Sequence, residues 1–189
     1  MPARARNLPR TLVAVALGTA TLSVGVGVFA ALSAPSDSHV TFQASGPAGM
    51  KIEGTTSDLT VTDDGTTLTI DVPLANLSTG ISLRDHHMRE KYLEVPRFAS
   101  ATLQVARAAL KLPPAGAAVE MDVPATLKLH GQSRPVTVHY DAKGDGAGFA
   151  AHGRFRVNMN DYGIVIPSYL GITVKPDIDV AAHFAAHDV

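Results

Sequence analysis

From His39 onward, apolar and polar positions alternate with a period of two, in runs separated by turn signals. Val40–Gly46 reads as a first short strand. Met50–Thr62 reads as a second, ending at Asp63-Asp64-Gly65, a hairpin signal. Thr66–Leu74 is a third, with Leu68, Ile70, Val72 and Leu74 on one face, and Ala101–Leu112 follows. In Ala117–His130, Val119, Met121, Val123, Leu127 and Leu129 oppose Glu120, Asp122, Thr126, Lys128 and His130. Val136, Val138 and Tyr140 then oppose Thr137, His139 and Asp141. Phe155, Val157 and Met159 oppose Arg154, Arg156, Asn158 and Asn160, and Ile172–Phe184 repeats the pattern. These runs make about eight strands, each with one dry and one wet face.

No long amphipathic helix is on offer to cover the dry side. The sheet must therefore cover itself, as a barrel or a sandwich. Eight strands in up-and-down order give a lipocalin-sized antiparallel barrel, whose interior is filled by side chains or holds one small ligand. Many inward positions are small, among them Gly54, Ala101, Ala125, Ala151 and Ala182, and Trp is absent. A lumen lined this way is hard to fill to ordinary density, which points to an apolar ligand. Side chains interdigitating from opposite walls are the competing reading.

Two stretches break the alternation. Leu83–Phe98 is dense in charge and histidine; Asp85 is placed to cap a short helix, and Pro96 stops its continuation. Asp161–Gly171, with two Tyr, two Gly and Pro167, is too apolar for a solvated loop and reads as a second rim or wall segment. For Arg84, Asp85, His87, Arg89 and Lys91 two readings stay open. One is a solvated helix with local ion pairs. The other is a polar rim that holds a ligand head group, for which Arg suits phosphate through its planar fork.

Composition narrows the chemistry. The chain lacks Cys, so disulfide and thiolate chemistry are absent. Its eight His show none of the usual zinc spacings, and no metal or cofactor is expected. There is no Gly-x-Ser-x-Gly elbow, and Gly144–Gly148 precedes a strand rather than a helix, so it reads as a hairpin loop. No catalytic residue is expected.

The first residues have the layout of an export signal. Arg4, Arg6 and Arg10 precede an uncharged run, Leu12–Leu32, and small residues follow. Residues 12–32 are also long enough to span a bilayer, so a cleaved signal over residues 1–34 and an uncleaved anchor both stay open. Without residues 1–34 the formal net charge goes from −1 to −4. A mildly acidic exported domain with no basic stripe is a poor candidate for nucleic acid.

Three signatures resemble a known family. They are Thr79-Gly80-Ile81-Ser82-Leu83-Arg84-Asp85-His86-His87-Met88 with Lys91-Tyr92-Leu93-Glu94 and Phe98-x-x-Ala101-Thr102-Leu103; Leu127–Val136; and Asn160–Ile164 with Pro167–Gly171. In this order they resemble the YceI-like polyisoprenoid-binding proteins, over roughly residues 39–189. The resemblance implies an exported periplasmic protein with an eight-stranded lipocalin-like barrel and an elongated apolar pore for long isoprenoid chains, either polyprenyl phosphates or the tails of isoprenoid quinones. It implies Arg84, Asp85, His87 and Met88 near the pore mouth, and Tyr92, Leu93, Tyr162, Ile164, Tyr169 and Leu170 lining or capping it. By alternation Phe155, Val157 and Met159 belong to the wall. The segment Gly46–Thr56 is more polar than the family's usual first hairpin, which leaves a different tail or a shallower pore open.

The expected function is non-catalytic binding, storage or transport of such a lipid. Two alternatives accompany it. One is an isomerase or cyclase in which His87 or Tyr162 moves a proton. The other is a stress-related periplasmic partner of a membrane redox protein. Transient membrane contact and a homodimer also stay open.

Overall fold

The computed structural model describes residues 30–32, 38–145, 148–169 and 171–187. Most of the expected signal or anchor, residues 1–29 and 33–34, lies outside the described residues. The strands are β1 (Ala30–Leu32), β2 (His39–Ser45), β3 (Lys51–Thr56), β4 (Thr60–Asp63), β5 (Thr67–Pro73), β6 (Ser100–Ala106), β7 (Ala118–Leu129), β8 (Gln132–Gly144), β9 (Gly148–Asn158), β10 (Ser168–Tyr169), β11 (Ile172–Thr173) and β12 (Asp177–His187). A short helix, α1 (Ser82–His87), runs on into a π-helical turn, Met88–Tyr92.

One antiparallel sheet of ten strands runs in the order β1-β4-β5-β6-β7-β8-β9-β12-β2-β3, and β10 pairs with β11 as a separate hairpin. The fold is all-β, as the alternation predicts, but the eight-strand barrel needs two corrections. The expected strand Met50–Thr62 is two strands, and they lie at opposite sides of the sheet rather than side by side. The break is local: the Asp58 N–H donates to Thr56 Oγ1, turning the chain out of the ladder. The sheet therefore curls into a half-barrel, and β3 and β4 do not pair.

The gap between them is filled by the connector after β5. Leu74 and Leu77 are buried there. Ser78 and Thr55 exchange backbone hydrogen bonds of 2.8 and 3.0 Å, and Asn76 Nδ2 donates to Asp58 Oδ2 at 2.8 Å. Two further expected strands are shorter than the pattern suggests. Ala101–Leu112 stops at Ala106, where Arg107–Ala109 form a 3₁₀ turn, and Ile172–Phe184 is divided before β12 at Pro176.

The dry face is filled unevenly along the strand direction. At the end holding the β4–β5 and β8–β9 turns it is a packed core. Val61, Leu68, Val105, Val123, Val138, Tyr140, Ala142, Phe149, Ala151 and Phe184 are all buried there. Phe149 and Phe184 meet edge to face at 6.3 Å. The Tyr140 hydroxyl accepts from the Lys111 N–H at 2.9 Å and donates to its carbonyl at 3.0 Å. Gly144 lies so close to the Pro113-Pro114 loop that a Cβ there would come within 2.3 Å of the Pro114 carbonyl oxygen. At the other end, where α1 and the β10–β11 hairpin sit, the walls stay apart.

This division predicts unequal costs for similar truncations. Phe184→Ala, in the packed half, should cost about 3–5 kcal/mol. Phe155→Ala, whose ring borders open space, should cost well under that. Urea unfolding of the two variants checks it; equal losses would mean that the barrel is packed evenly.

Candidate functional site

The open half encloses a cavity of about 590 Å³, within the range of sites that hold one small molecule. Each wall strand contributes its dry-face residues at this end only. Val40, Phe42 and Ala44 come from β2, Ile52 from β3, Ile70 and Val72 from β5, Ala101 and Leu103 from β6, and Leu127 and Leu129 from β7. Phe155 and Val157 from β9, Met159 beyond it, Val174, and Ile178, Val180 and Ala182 from β12 complete the wall. The registers bring them face to face: Ile70 opposite Leu103, Leu103 opposite Leu127, and Phe155 opposite Val180, itself opposite Phe42. Period-two alternation on paired strands is enough to make this lining.

The polar part of the lining is confined to the rim. Thr79, Arg84 and His87 come from α1 and the turn before it, and Ser168 from β10. Met88, Tyr92 and Leu93 continue the rim through the π-helical turn, whose Leu93 N–H donates to the Met88 carbonyl at 2.8 Å.

Asp85 does not face the cavity. It is 4% exposed, inside the first turns of α1 rather than at its cap. Its Oδ2 accepts from the Ser78 hydroxyl at 2.6 Å, and its Oδ1 accepts from the Thr79 N–H at 2.7 Å and from the Thr79 hydroxyl. Arg89 Nη2 lies 3.8 Å away. Burial pushes the Asp85 carboxyl up, but the hydrogen bonds from Ser78 and Thr79, with Arg89 behind them, outweigh it and hold it below the usual carboxylate range. The expectation that Asp85 contacts a ligand is corrected: its oxygens are occupied in fixing the chain. Arg84 is partly engaged in the same way, with Nε donating to Thr79 Oγ1 at 2.7 Å and Nη2 to the Thr79 carbonyl at 2.8 Å. Its guanidinium is held in place at the cavity edge.

Of the other expected site residues, Arg84, His87, Met88, Tyr92, Leu93, Phe155, Val157, Met159 and Ile164 border the cavity. Tyr162 does not; it is 2% exposed within the wall, and burial raises its phenol above the usual value. Only the backbone of Tyr169 is described, and Leu170 lies outside the described residues. Phe42, Ile52, Leu103, Leu127 and Val180 border the cavity too; the alternation marked Leu127 and Val180, whereas β2, β3 and β12 come together only through the pairing of the chain's first and last long strands. Phe42 is also placed by Gly54, where a Cβ would stand 2.2 Å from its ring.

His130 is not a plain surface residue either. Its Nδ1 bonds the Tyr162 carbonyl at 3.0 Å, its ring lies 4.5 Å from that of Phe98, and its Nε2 is 3.4 Å from Glu94 Oε1. It clasps the β7–β8 turn to both rim segments. Among the described residues no group of three or more His, Asp or Glu converges as a metal site.

The sequence model of the YceI-like domain family matches residues 33–186. The chain belongs to that family. A UPF0312 protein of Pseudomonas fluorescens is 30% identical over 192 residues, covering 92% of this chain and 96% of that protein. The fold is shared with a polyisoprenoid binding domain from Saccharophagus degradans, at a TM-score of 0.70 and 18% identity, over 84% of this chain and 98% of that one. It is shared also with Burkholderia cenocepacia BcnA, at a TM-score of 0.64 and 16% identity, over 79% and 96%. In this YceI-like chain all three recognised signatures lie at the open end: the first forms the rim helix, the second the β7–β8 turn, and the third the stretch that carries Tyr162 and Ile164.

Two predictions follow from this geometry. Asp85→Asn leaves the Ser78 hydroxyl without its acceptor and should cost about 1–3 kcal/mol in urea unfolding at neutral pH. A lowered native pKa stabilises the fold above the ordinary value of about 4 and loses that contribution as pH falls through the native value. The gap between wild type and Asp85→Asn should therefore close below about pH 4; a gap independent of pH would mean that the carboxylate's charge is not what matters. Gly54→Ala should drive the Phe42 ring into the cavity and reduce its capacity, seen as weaker uptake of an apolar fluorescent probe at nearly unchanged secondary structure.

Proposed function

We propose that this protein binds a long-chain isoprenoid lipid, tail inward, in the open half of its barrel, and that it stores or carries the lipid without chemical change. The observation that carries the reading is the cavity itself: apolar throughout its wall, and polar only where Thr79, Arg84, His87 and Ser168 ring the mouth. Membership of the YceI-like family, and a fold shared with a polyisoprenoid binding domain, support a lipid-binding role.

Burial supplies the affinity. Each methylene moved out of water contributes about 0.8 kcal/mol, so a few isoprene units exceed the ordering cost of association. The rim would set head group and register: Arg84, pre-positioned by Thr79, toward a phosphate or a quinone oxygen, with His87 beside it. Of the two groups that a proton-moving alternative would use, only His87 stands on the cavity. The basic start and uncharged run of residues 1–34 support export to the periplasm, by a cleaved signal or an anchor, with residues 39–189 as the lipid-binding unit.

Mass analysis of the lipid extracted from protein made in a bacterial host tests the reading. His87→Ala should retain the lipid within a few fold, because the tail dominates. Val157→Glu should lose it, because an unpaired charge would face the lumen. Ala101→Phe, which fills space without adding charge, should lose it while remaining folded. Undiminished lipid in both wall variants would put the binding site elsewhere.

A further inference from the structure

The cavity's lining does not stop at its mouth. Ile81 and Leu83, at the start of α1, are 53% and 62% exposed to solvent and yet border the cavity; Ile172, on β11 across the opening, is 46% exposed and does the same. Val165, 65% exposed, stands between Ile164, which borders the cavity, and Val165's second neighbour, Pro167, which does too. Large aliphatic side chains on both sides of one opening thus form an apolar surface continuous from outside to lumen. All four exposed large hydrophobic side chains of the described residues belong to these two rim segments. Surface clusters of this kind mark an interaction site.

Charge on the same segments favours one occupant. Arg84 and Lys91 flank the aliphatic group on the α1 side, and the acid within α1, Asp85, is buried and faces Arg89. Glu90 is the exposed acid of this helical segment. Of the two rim segments only the α1 side carries cations, and Asp161 is the exposed acid of the other. Aliphatic side chains flanked by Arg84 and Lys91 match the boundary between head groups and acyl chains of an anionic bilayer.

We propose that this rim docks on an anionic phospholipid bilayer, with Leu83, Ile81, Ile172 and Val165 entering the head-group boundary so that the cavity opens directly into the membrane. The inference rests on the reading of the cavity as a lipid site. A long apolar chain entering through such a mouth leaves the membrane without crossing water, which removes the main barrier to its exchange.

The natural absence of Cys allows a clean test in the full chain. Single cysteines are placed at Val165, at Leu83, and at Thr66 in the exposed β4–β5 turn at the opposite end, and each is labelled with an environment-sensitive fluorophore. The proteins are mixed with vesicles of phosphatidylethanolamine and phosphatidylglycerol that carry brominated acyl chains. Docking predicts quenching at positions 165 and 83 and none at 66, weakened by neutral vesicles or high salt. Leu83→Asp in the Val165→Cys background should lower apparent vesicle affinity about tenfold.

No quenching at 165 and 83, or equal quenching at 66, overturns the proposal. So does a concentration-dependent emission shift at 165 without vesicles and without quenching when they are added, which would assign the surface to a second copy of the chain. Lipid content, measured by mass analysis on the same samples, separates the two readings. Rim-specific quenching by a protein that never carries lipid leaves the docking standing and removes the cavity assignment. A lipid-loaded protein with no quenching does the reverse.

Discussion

The sheet does not close on itself by hydrogen bonds, and most of the structure at the open end answers to that. The edges of the sheet are β3 and, beside β4, the short β1, and among the described residues they do not pair. What stands in the gap is the stretch from Leu74 to Thr79, a connector without the long ladder that holds a strand in place. Two buried leucines, the Ser78–Thr55 exchange and the Asn76–Asp58 bond fix one part of it. Asp85 fixes the rest, by accepting from both Ser78 and Thr79. A buried carboxylate is costly unless its acceptor sites are filled. Here filling them joins the gap-closing connector to the rim helix. α1 has six residues, too few to persist alone, so it depends on this contact as much as the wall does.

The same network explains why one charged cluster serves two purposes. Asp85 is wholly occupied by structure. Arg84 is half so, its Nε and Nη2 held by Thr79 while the side chain still borders the cavity. A guanidinium fixed in this way has less freedom left to lose on binding than one swinging in solvent.

Much of the fold could be read in the alternation, because a strand with one dry face announces itself residue by residue. Asp63-Asp64-Gly65 and Gly144–Gly148 were equally readable as hairpins, and the aliphatic stretch around Ile164 as wall. What alternation cannot carry is pairing between distant strands. Across Met50–Thr62 the apolar positions change parity, from Met50, Ile52 and Gly54 to Leu59 and Val61, and at that break the side chain of Thr56 captures the next turn and sends the two halves to opposite sides of the sheet. The role of Asp85 was hidden for a related reason. Acid, base and imidazole in one stretch look alike whether they face a ligand or the backbone six residues earlier, and only geometry tells the two apart. Phe42 was hidden because its position depends on Gly54 across a hairpin, not on its own neighbours.

The division of the barrel into a packed and a hollow half reconciles two demands that conflict in a protein of this size. Open apolar space forfeits the dispersion contacts of every atom that lines it, so a chain hollow from end to end would have little left to hold it together. Concentrating the rings of Tyr140, Phe149 and Phe184 at one end gives that end a conventional core. The strands run unbroken from one half into the other: β7, β9 and β12 each carry packed residues toward one terminus and cavity residues toward the other. Backbone ladders anchored in the dense half hold the thin half open. The outward-facing side chains of the rim then need not supply stability, which is why they include exposed aliphatic groups and cations that a core could not accept.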